Sequence, residues 1–287
     1  MREGNVIPFP TSNNHMNADH YFSIGHGHTI CEDYALSNAI DSNSSYAIVC
    51  DGCSSSPDVD FGARALALSA KRTLSIGGSD MNYDLFGKVT IRNLEHIGDT
   101  IPLHPHSLDS TLLVAWVKDK KFTVHMYGDG VFFHKTATNI RLVHVNFEGN
   151  CPAYLSYYLD KLRLWEYEKT VLGSKKILDI SIYTGETSDS QSGDVIENET
   201  YVKPFEPVTF KGLVEENDII AICSDGVNSF TTADGSTIPW EAIARYFIDF
   251  KTTPGVFVQR RLSFLKRQWI KTQISHYDDI SMAAIVV

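Results

Sequence analysis

The sequence predicts an α+β fold in which two antiparallel sheets pack face to face with helices outside. Short apolar segments bounded by turn residues occur along most of the 287-residue chain, whereas helical periodicity is confined to a few blocks. Two of the segments, LLVAWV and FTVHMY, are separated only by KDKK, which indicates a hairpin. The turn GDG then leads into VFFHK and predicts a second hairpin. Because parallel strands need long crossovers, successive hairpins favour antiparallel sheets, and helices in blocks among them favour a covered sandwich.

Ten segments are predicted to be strands because they are rich in apolar, β-branched and aromatic residues. They span residues 21–24, 46–50, 110–117, 121–127, 131–135, 140–145, 177–183, 200–208, 218–223 and 280–287. The segments YAIVC and DIIAIC are apolar at nearly every position, which predicts strands that are buried on both faces.

Three helices are predicted from residues that recur at helical spacing. The first follows Asp60, which is the expected N-cap, and stops at Gly77-Gly78. The second spans about 83–96. The apolar positions of the first helix are Ala63, Leu66, Ala67, Ala70 and Leu74, and those of the third are Val258, Leu262, Leu265 and Trp269.

The opposite face of the third helix is basic. It is interpreted as a solvated face, with a dock for an acidic partner as the alternative. Its residues are Arg260, Arg261, Lys266 and Arg267.

No break in composition divides the chain, so a single domain over residues 19–287 is expected. Residues 1–18 are polar and Asn-rich, lack the apolar core of a signal peptide, and are predicted to be a flexible arm. The Ser-rich stretch 185–200 is predicted to be a loop or flap within an insertion at 146–205.

Composition argues against several classes of partner. The formal net charge of −10, from 35 acidic and 25 basic residues, disfavours nucleic acid. No segment approaches the roughly 20 apolar residues that span a membrane. Five cysteines and the lack of a signal peptide indicate reduced thiols and a cytoplasmic protein. The lone CxxC formed by Cys50 and Cys53 has no second pair, which argues against a zinc or redox site.

Acidic residues at strand ends are the sequence feature that indicates chemistry. Three apolar segments end in Asp-Gly, and two acidic doublets flank other strands. Carboxylates that converge would repel one another unless they surround cations, and carboxylate oxygens suit Mg²⁺ or Mn²⁺ better than zinc. A following glycine can turn its carbonyl toward an ion. The residues are Glu32-Asp33, Asp51, Asp129, Asp225 and Asp278-Asp279.

Six motifs in this order resemble those of the metal-dependent phosphatases of the protein phosphatase 2C type, in their bacterial-like variant. The resemblance covers residues 21–287, nearly the whole chain. The motifs are CEDYA (31–35), VCDG (49–52), DSTLLVAW (109–116), YGDG (127–130), ICSDGV (222–227) and YDDISMAAIV (277–286).

This resemblance implies a four-layer α-β-β-α sandwich with two Mn²⁺ or Mg²⁺ ions between the sheets. Asp51 would bridge the ions, and the Gly52 carbonyl would bind one of them. Asp225 and Asp278 would hold the first ion, and Asp33 with Glu32 the second. Asp129, with Asp225, would form a weaker third site.

The activity implied is hydrolysis of phosphoserine or phosphothreonine in protein substrates. A water held by the two ions would attack phosphorus in line, so Asp51 and Asp225 are expected to be catalytic.

The sequence departs from the family pattern where the phosphate is bound. His28 occupies the place of an arginine that grips the phosphate, so His28 is the expected phosphate ligand. The proton for the leaving oxygen is expected to come either from His28 or from a metal-bound water. Cys53 stands where relatives have a histidine, and Gly130 where they have a serine. Arg64 is expected either to compensate for the missing arginine or to be an ordinary surface residue.

Two other functions are alternatives to the phosphatase activity. A degenerate phosphatase domain could bind a phosphoprotein or a regulatory partner without cleaving it. The pairs His26/His28 and His104/His106 could instead suggest a zinc hydrolase, but such enzymes need a (β/α)₈ barrel, which the hairpins disfavour.

Overall fold

A computed structural model describes residues 16–101, 103–171, 178–187, 194–198 and 207–287. Fourteen strands and five α-helices occur in these residues. The strands are β1 (Asn17–Ser23), β2 (Tyr34–Ala39), β3 (Ser44–Cys50), β4 (Leu112–Lys118), β5 (Lys121–Tyr127), β6 (Gly130–Lys135), β7 (Asn139–Phe147), β8 (Leu178–Glu186), β9 (Asp194–Asn198), β10 (Val208–Leu213), β11 (Ile219–Cys223), β12 (Phe230–Thr231), β13 (Ser275–His276) and β14 (Ile280–Val286). The helices are α1 (Val59–Ser75), α2 (Tyr83–Thr100), α3 (Lys161–Val171), α4 (Trp240–Phe247) and α5 (Phe257–Lys271).

The strands form two antiparallel sheets, which confirms the predicted fold class. The larger sheet has the order β1-β14-β11-β6-β7-β8-β9, the smaller β10-β5-β4-β3-β2, and β12 pairs with β13 as a separate ribbon. Two antiparallel sheets exclude the (β/α)₈ barrel that the zinc hydrolase interpretation required.

The first predicted hairpin is confirmed, and the second is wrong. β4 and β5 pair in register, with Leu113 opposite Met126. β6, however, pairs with β7 and β11 in the other sheet. The GDG turn therefore carries the chain from one sheet to the other. A sequence pattern cannot distinguish this crossing from a hairpin, because both need a tight turn between two apolar strands.

Three apolar layers hold the sandwich together. Alternate residues of β3 and β11, such as Val49 and Ile222, meet between the sheets. Ile48 in β3 faces α1 and α2, and Ala221 in β11 faces α4 and α5. These strands are thus buried on both faces, as their apolar runs predict, and the layer order is α-β-β-α.

Helix bounds differ from the predicted ones at the helix starts and ends. α1 begins at Val59, so Asp60 lies in its first turn and Asp58 takes the N-cap position without a side-chain cap. α2 extends to Thr100 and is capped by Asn82, whose side chain accepts the N–H of Leu85. The sequence analysis missed α3 and α4, which are short.

Arg261 corrects the interpretation of the basic face of α5. Only 9% of the residue is exposed. Its Nε donates to the carbonyl of Tyr246 at 2.7 Å, and its Nη2 lies 3.2 Å from Asp249. The side chain therefore links the end of α4 to α5 through hydrogen bonds. The other basic residues of that face, Arg260, Lys266 and Arg267, are exposed.

Three predictions near the chain start and the insertion need adjustment. Residues 1–15 of the predicted arm lie outside the described residues, and β1 takes up its last two residues. β9 lies within the predicted loop 185–200 and pairs with β8. The predicted strand 200–208 lies largely outside the described residues, and β10 begins at its last position. The sequence analysis missed β2.

Within the described residues, none of the helices combines the length and the apolar character that a membrane span requires.

Asp19 of β1 caps a helix that lies far away in the sequence. Its Oδ2 accepts the backbone N–H groups of Val258 and Gln259, at 2.7 and 3.1 Å, in the first turn of α5. Because the side chain of Val256 provides no cap, Asp19→Ala is expected to cost about 2 kcal/mol of unfolding free energy. Urea denaturation measures this cost. Asp19→Asn, which keeps an acceptor, is the matched control, and equal losses in both variants would contradict the capping role.

Candidate active site

Each sheet delivers one carboxylate to the same end of the sandwich. Asp51 follows β3, where its N–H donates to Thr111 Oγ1 at 3.1 Å and its carbonyl accepts the N–H of Thr111 at 2.8 Å. The threonine of the DST motif thus fixes the backbone of Asp51. Asp225 follows β11 in the other sheet and opens a 3-10 helix that ends at Asn228.

Asp33 lies buried beside these two residues. Its Oδ2 accepts the Ser224 hydroxyl at 2.7 Å, while its buried Oδ1 has no hydrogen-bond partner in good geometry. Burial raises the pKa of Asp33 to about 7, although the Ser224 and Ser281 hydroxyls favour its charged form.

Three more carboxyls of the site have raised pKa values, and in each case neighbouring carboxyls contribute after burial. Burial, followed by the charges of Asp33, Asp225 and Asp278, raises the pKa of Asp51 well above its usual value. Burial, followed by the charge of Asp225, also raises the pKa of Asp129. Burial and then Asp225 raise the pKa of Asp278 to about 6. These carboxyls are therefore neighbours in the structure.

Asp129 is placed by the two glycines of the GDG turn. Gly128 and Gly130 have φ angles of 116° and 137°, which are costly for other residues. A Cβ on Gly130 would also lie 2.7 Å from the carbonyl oxygen of Cys223. A serine does not fit at this position in this conformation.

Asp279 is a site residue that the sequence analysis did not assign. It is 2% exposed. Its Oδ1 accepts the N–H of Gly25 at 2.7 Å, and its Oδ2 accepts the N–H of Glu32 at 2.5 Å. The same Oδ2 lies 3.1 Å from Nδ1 of His28. Asp279 therefore holds the loop that presents His28 and Glu32. The doublet Asp278-Asp279 was the available signal.

His28 lies among carboxylates. Its Nε2 is 3.6 Å from Oδ1 of Asp278, and its Nδ1 is 3.8 Å from Oε2 of Glu32. Burial acts to lower the pKa of His28, but the carboxylates of Asp279, Glu32 and Asp278 outweigh burial, and the pKa is raised. The imidazole is therefore more often cationic than an ordinary histidine at the same pH.

Gly52 and Cys53 line the site, and Arg64 lies on the helix beyond it. Gly52 donates its N–H to the Glu32 carbonyl at 3.3 Å, and a Cβ there would lie 2.9 Å from that oxygen. The half-buried Cys53 has its Sγ 3.2 Å from the hydroxyl of Ser55. Arg64 is exposed and stacks over Tyr34 at 4.9 Å. Among the described residues it makes no ion pair with a site carboxylate.

A segment of the predicted insertion also reaches the site. Asp109 accepts the Ser156 hydroxyl and Nη2 of Arg163, both at 2.6 Å, and its carbonyl accepts the N–H of Cys53 at 2.9 Å. Burial raises the pKa of Tyr154, and the Cys53 thiol contributes next. Tyr154 is therefore a neighbour of Cys53 that the sequence analysis missed, because nothing in CPAYLSYYLD distinguishes it from the tyrosines nearby.

The donor chemistry suits a hard divalent cation. The site combines buried carboxylates of raised pKa with two buried oxygens, Asp33 Oδ1 and Glu32 Oε2, that lack a hydrogen-bond donor. A cation would satisfy both oxygens and offset the repulsion. Within the described residues, no three His, Cys, Asp or Glu side chains are arranged as a complete coordinating group. The site therefore suits a divalent cation in the chemistry of its donor atoms.

Comparison with solved structures agrees with the fold. A bacterial serine phosphatase has a TM-score of 0.54 at 12% identity, covering 95% of this chain and 98% of its own. The serine/threonine phosphatase of S. agalactiae has a TM-score of 0.52 at 13% identity, covering 95% and 100%. The phosphatase domain of SpoIIE from Bacillus subtilis, with a fragment of its regulatory domain, has a TM-score of 0.53 at 11% identity. There the match covers 96% of this chain and 64% of the other.

Sequence comparison gives the family. No curated protein matches the chain significantly. The family model described as Protein phosphatase 2C matches residues 24–265, which is most of the chain. The chain belongs to the protein phosphatase 2C family.

Proposed function

We propose that this protein is a metal-dependent phosphatase that hydrolyses phosphoserine and phosphothreonine monoesters in proteins. The observation that carries the proposal is the cluster of buried and half-buried carboxylates at strand ends of both sheets, whose pKa values are raised by burial and then by one another's charge. Such a cluster is unfavourable by itself and becomes favourable around cations. Membership of the family supports the same reaction.

Two Mn²⁺ or Mg²⁺ ions, with a weaker third, are the proposed cofactors. Asp51 and the Gly52 carbonyl would hold ions together with Asp225 and Asp278. Asp33 and Glu32 would serve the second ion, and Asp129 the third. When bound, such ions neutralise charge on phosphoryl oxygens and lower the pKa of water.

The remaining residues are proposed to hold the site in place or to bind the phosphate. Asp279 holds the loop of His28, and Ser224 orients Asp33. We assign to His28 a charge-assisted hydrogen bond to a phosphoryl oxygen through Nε2, the nitrogen nearer Asp278. The same nitrogen is the proposed source of the proton for the leaving oxygen. Cys53 would line the phosphate site, and Arg64 is proposed as an outer contact.

The competing function is a domain that binds a phosphoprotein without turnover. His28 in place of the arginine favours it, because an imidazole offers fewer donors than a guanidinium. The retained carboxylates oppose it, since a binding module has no use for a repulsive buried cluster.

We expect hydrolysis of p-nitrophenyl phosphate and of a phosphothreonine peptide to require Mn²⁺ or Mg²⁺. Excess chelator is expected to abolish turnover. Asp225→Ala should reduce it by at least about a hundredfold, because an ion then loses a ligand and several kcal/mol of charge stabilisation. Asp234→Ala, which removes an exposed aspartate from the same region, is the matched control.

The assay is run from pH 6 to 9, with calorimetry of metal binding alongside. Metal binding without turnover of either substrate would favour the binding module. Turnover that persists in excess chelator would contradict the proposed chemistry, and the failure to bind either metal would contradict the metal site.

A further inference from the structure

Tyr277 is an exposed aromatic residue whose backbone is held firmly next to the site. It precedes Asp278, and 59% of it is exposed. Its N–H donates to the carbonyl of Ser229 at 3.2 Å, and its carbonyl accepts the N–H of Gly27 at 2.8 Å. Two loops that meet at the site thus fix the position from which the ring projects.

The ring itself lies against the GHGH segment (25–28). A Cβ built on Gly27 would lie 2.6 Å from Cζ of Tyr277, so only glycine permits the ring to rest there. His26 meets the ring edge to face, with centroids 5.3 Å apart, and His28 lies at 6.5 Å. Nδ1 of His26 donates to the carbonyl of His276 at 2.7 Å, which fixes the orientation of the imidazole. One side of the ring is therefore supported, and the rest is open to solvent.

The ring lies close to the proposed phosphate ligand. His28 has its ring centroid 6.5 Å from that of Tyr277, and its Nε2 lies 3.6 Å from Oδ1 of Asp278. An extended peptide advances about 3.3–3.6 Å per residue. A side chain one or two residues away from the phosphorylated residue can therefore reach the ring.

We propose that Tyr277 and His26 form a platform that binds an apolar side chain flanking the phosphorylated residue. This inference rests on the proposed phosphatase function and names its substrate preference. An immobilised, exposed ring offers apolar contact area at little entropic cost.

Phosphothreonine peptides that differ only by leucine or alanine at each position from −2 to +2 test this platform. For the wild type, kcat/KM is expected to favour leucine over alanine by about fivefold at one of these positions. Tyr277→Ala should reduce that ratio to below twofold, and Tyr277→Phe should retain it. Tyr246→Ala, which removes an exposed tyrosine from α4, should also retain it. A ratio of rates is used because any general loss of activity cancels.

A second measurement separates the platform from catalysis. Fluorescence anisotropy in Mn²⁺, with labelled leucine and alanine peptides that carry a non-hydrolysable phosphonate in place of the phosphate, measures binding without turnover. If neither phosphopeptide is hydrolysed, the proposed phosphatase function fails. Tighter binding of the leucine peptide that Tyr277→Ala abolishes would still support the platform. Equal ratios in wild type and Tyr277→Ala, in rate and in binding, would overturn the platform.

Discussion

Replacing Asp51 with asparagine is expected to reduce phosphatase turnover by about a thousandfold, which corresponds to about 4 kcal/mol of transition-state stabilisation. Asp51 is a direct neighbour of three other carboxyls, since after burial the charges of Asp33, Asp225 and Asp278 all raise its pKa. Asparagine keeps the shape and the backbone contacts with Thr111 but removes the charge that the proposed bridging position needs. Turnover of p-nitrophenyl phosphate at saturating Mn²⁺ measures the loss.

The same substitution is expected to stabilise the protein when metal is removed. The pKa of Asp33 is about 7 in the folded protein, above its ordinary value of 3.8. The free energy of unfolding therefore falls as the pH rises from about 4, the ordinary pKa of an aspartate, to about 7, and this carboxyl adds no further loss above 7. In excess chelator, the wild-type melting temperature should fall between about pH 4 and 7. Asp51→Asn should melt a few degrees higher at pH 8, equivalent to about 1 kcal/mol, because it removes a neighbouring carboxylate.

Asp60→Asn is the matched control for this experiment, because Asp60 is an exposed aspartate in the first turn of α1. It should change neither turnover nor the dependence of melting on pH. An Asp51→Asn protein that melts well below the wild type in chelator would show that Asp51 supports the fold, and would contradict its assignment to the metals.

Gly226→Ala is expected to unfold the protein or to cost more than about 4 kcal/mol of unfolding free energy. A Cβ at this position would lie 1.8 Å from the carbonyl oxygen of Asp279, and that oxygen belongs to backbone that cannot swing away. Thermal melting and the soluble yield measure the effect. The contact brings the ends of β11 and β14 together, so any surviving protein should also bind Mn²⁺ more weakly.

Gly235→Ala separates this steric effect from the conformational preference of glycine. Gly235 has a φ of 83°, and a Cβ there would meet nothing within 4 Å. It should cost only about 1 kcal/mol, the penalty for alanine in a left-handed conformation. Equal losses at the two positions would contradict the steric explanation.

The parts of this structure that local sequence determines were the predictable ones. A doubly buried strand has an apolar run, and a carboxylate at its end is visible as Asp-Gly, so the positions of Asp51 and Asp225 relative to their strands could be predicted. The sheet to which a strand belongs could not. GDG serves equally as a hairpin turn and as the crossing between sheets that it is here, because the choice depends on pairing with residues far along the chain.

Positioning residues were the least predictable part of the site. Asp279 accepts from Gly25, which lies 254 residues away, and Tyr154 reaches Cys53 from the other end of a long segment. Nothing in the immediate neighbourhood of either residue in the sequence shows these contacts. Arg261 likewise resembled its solvated neighbours in α5, because its burial depends on the carbonyl of Tyr246 in another helix.

The placement of Asp51 and Asp225 on opposite sheets has a consequence for how such a protein can change. Side chains between the sheets, among them Val49 and Ile222, set the spacing of the two strands that deliver these carboxylates. Enlarging or trimming these side chains would alter the distance between the two carboxylates without replacing any residue of the site. For the proposed metal site, the preference for the smaller Mg²⁺ or the larger Mn²⁺ would then depend on core packing, which mutation can change one methyl group at a time.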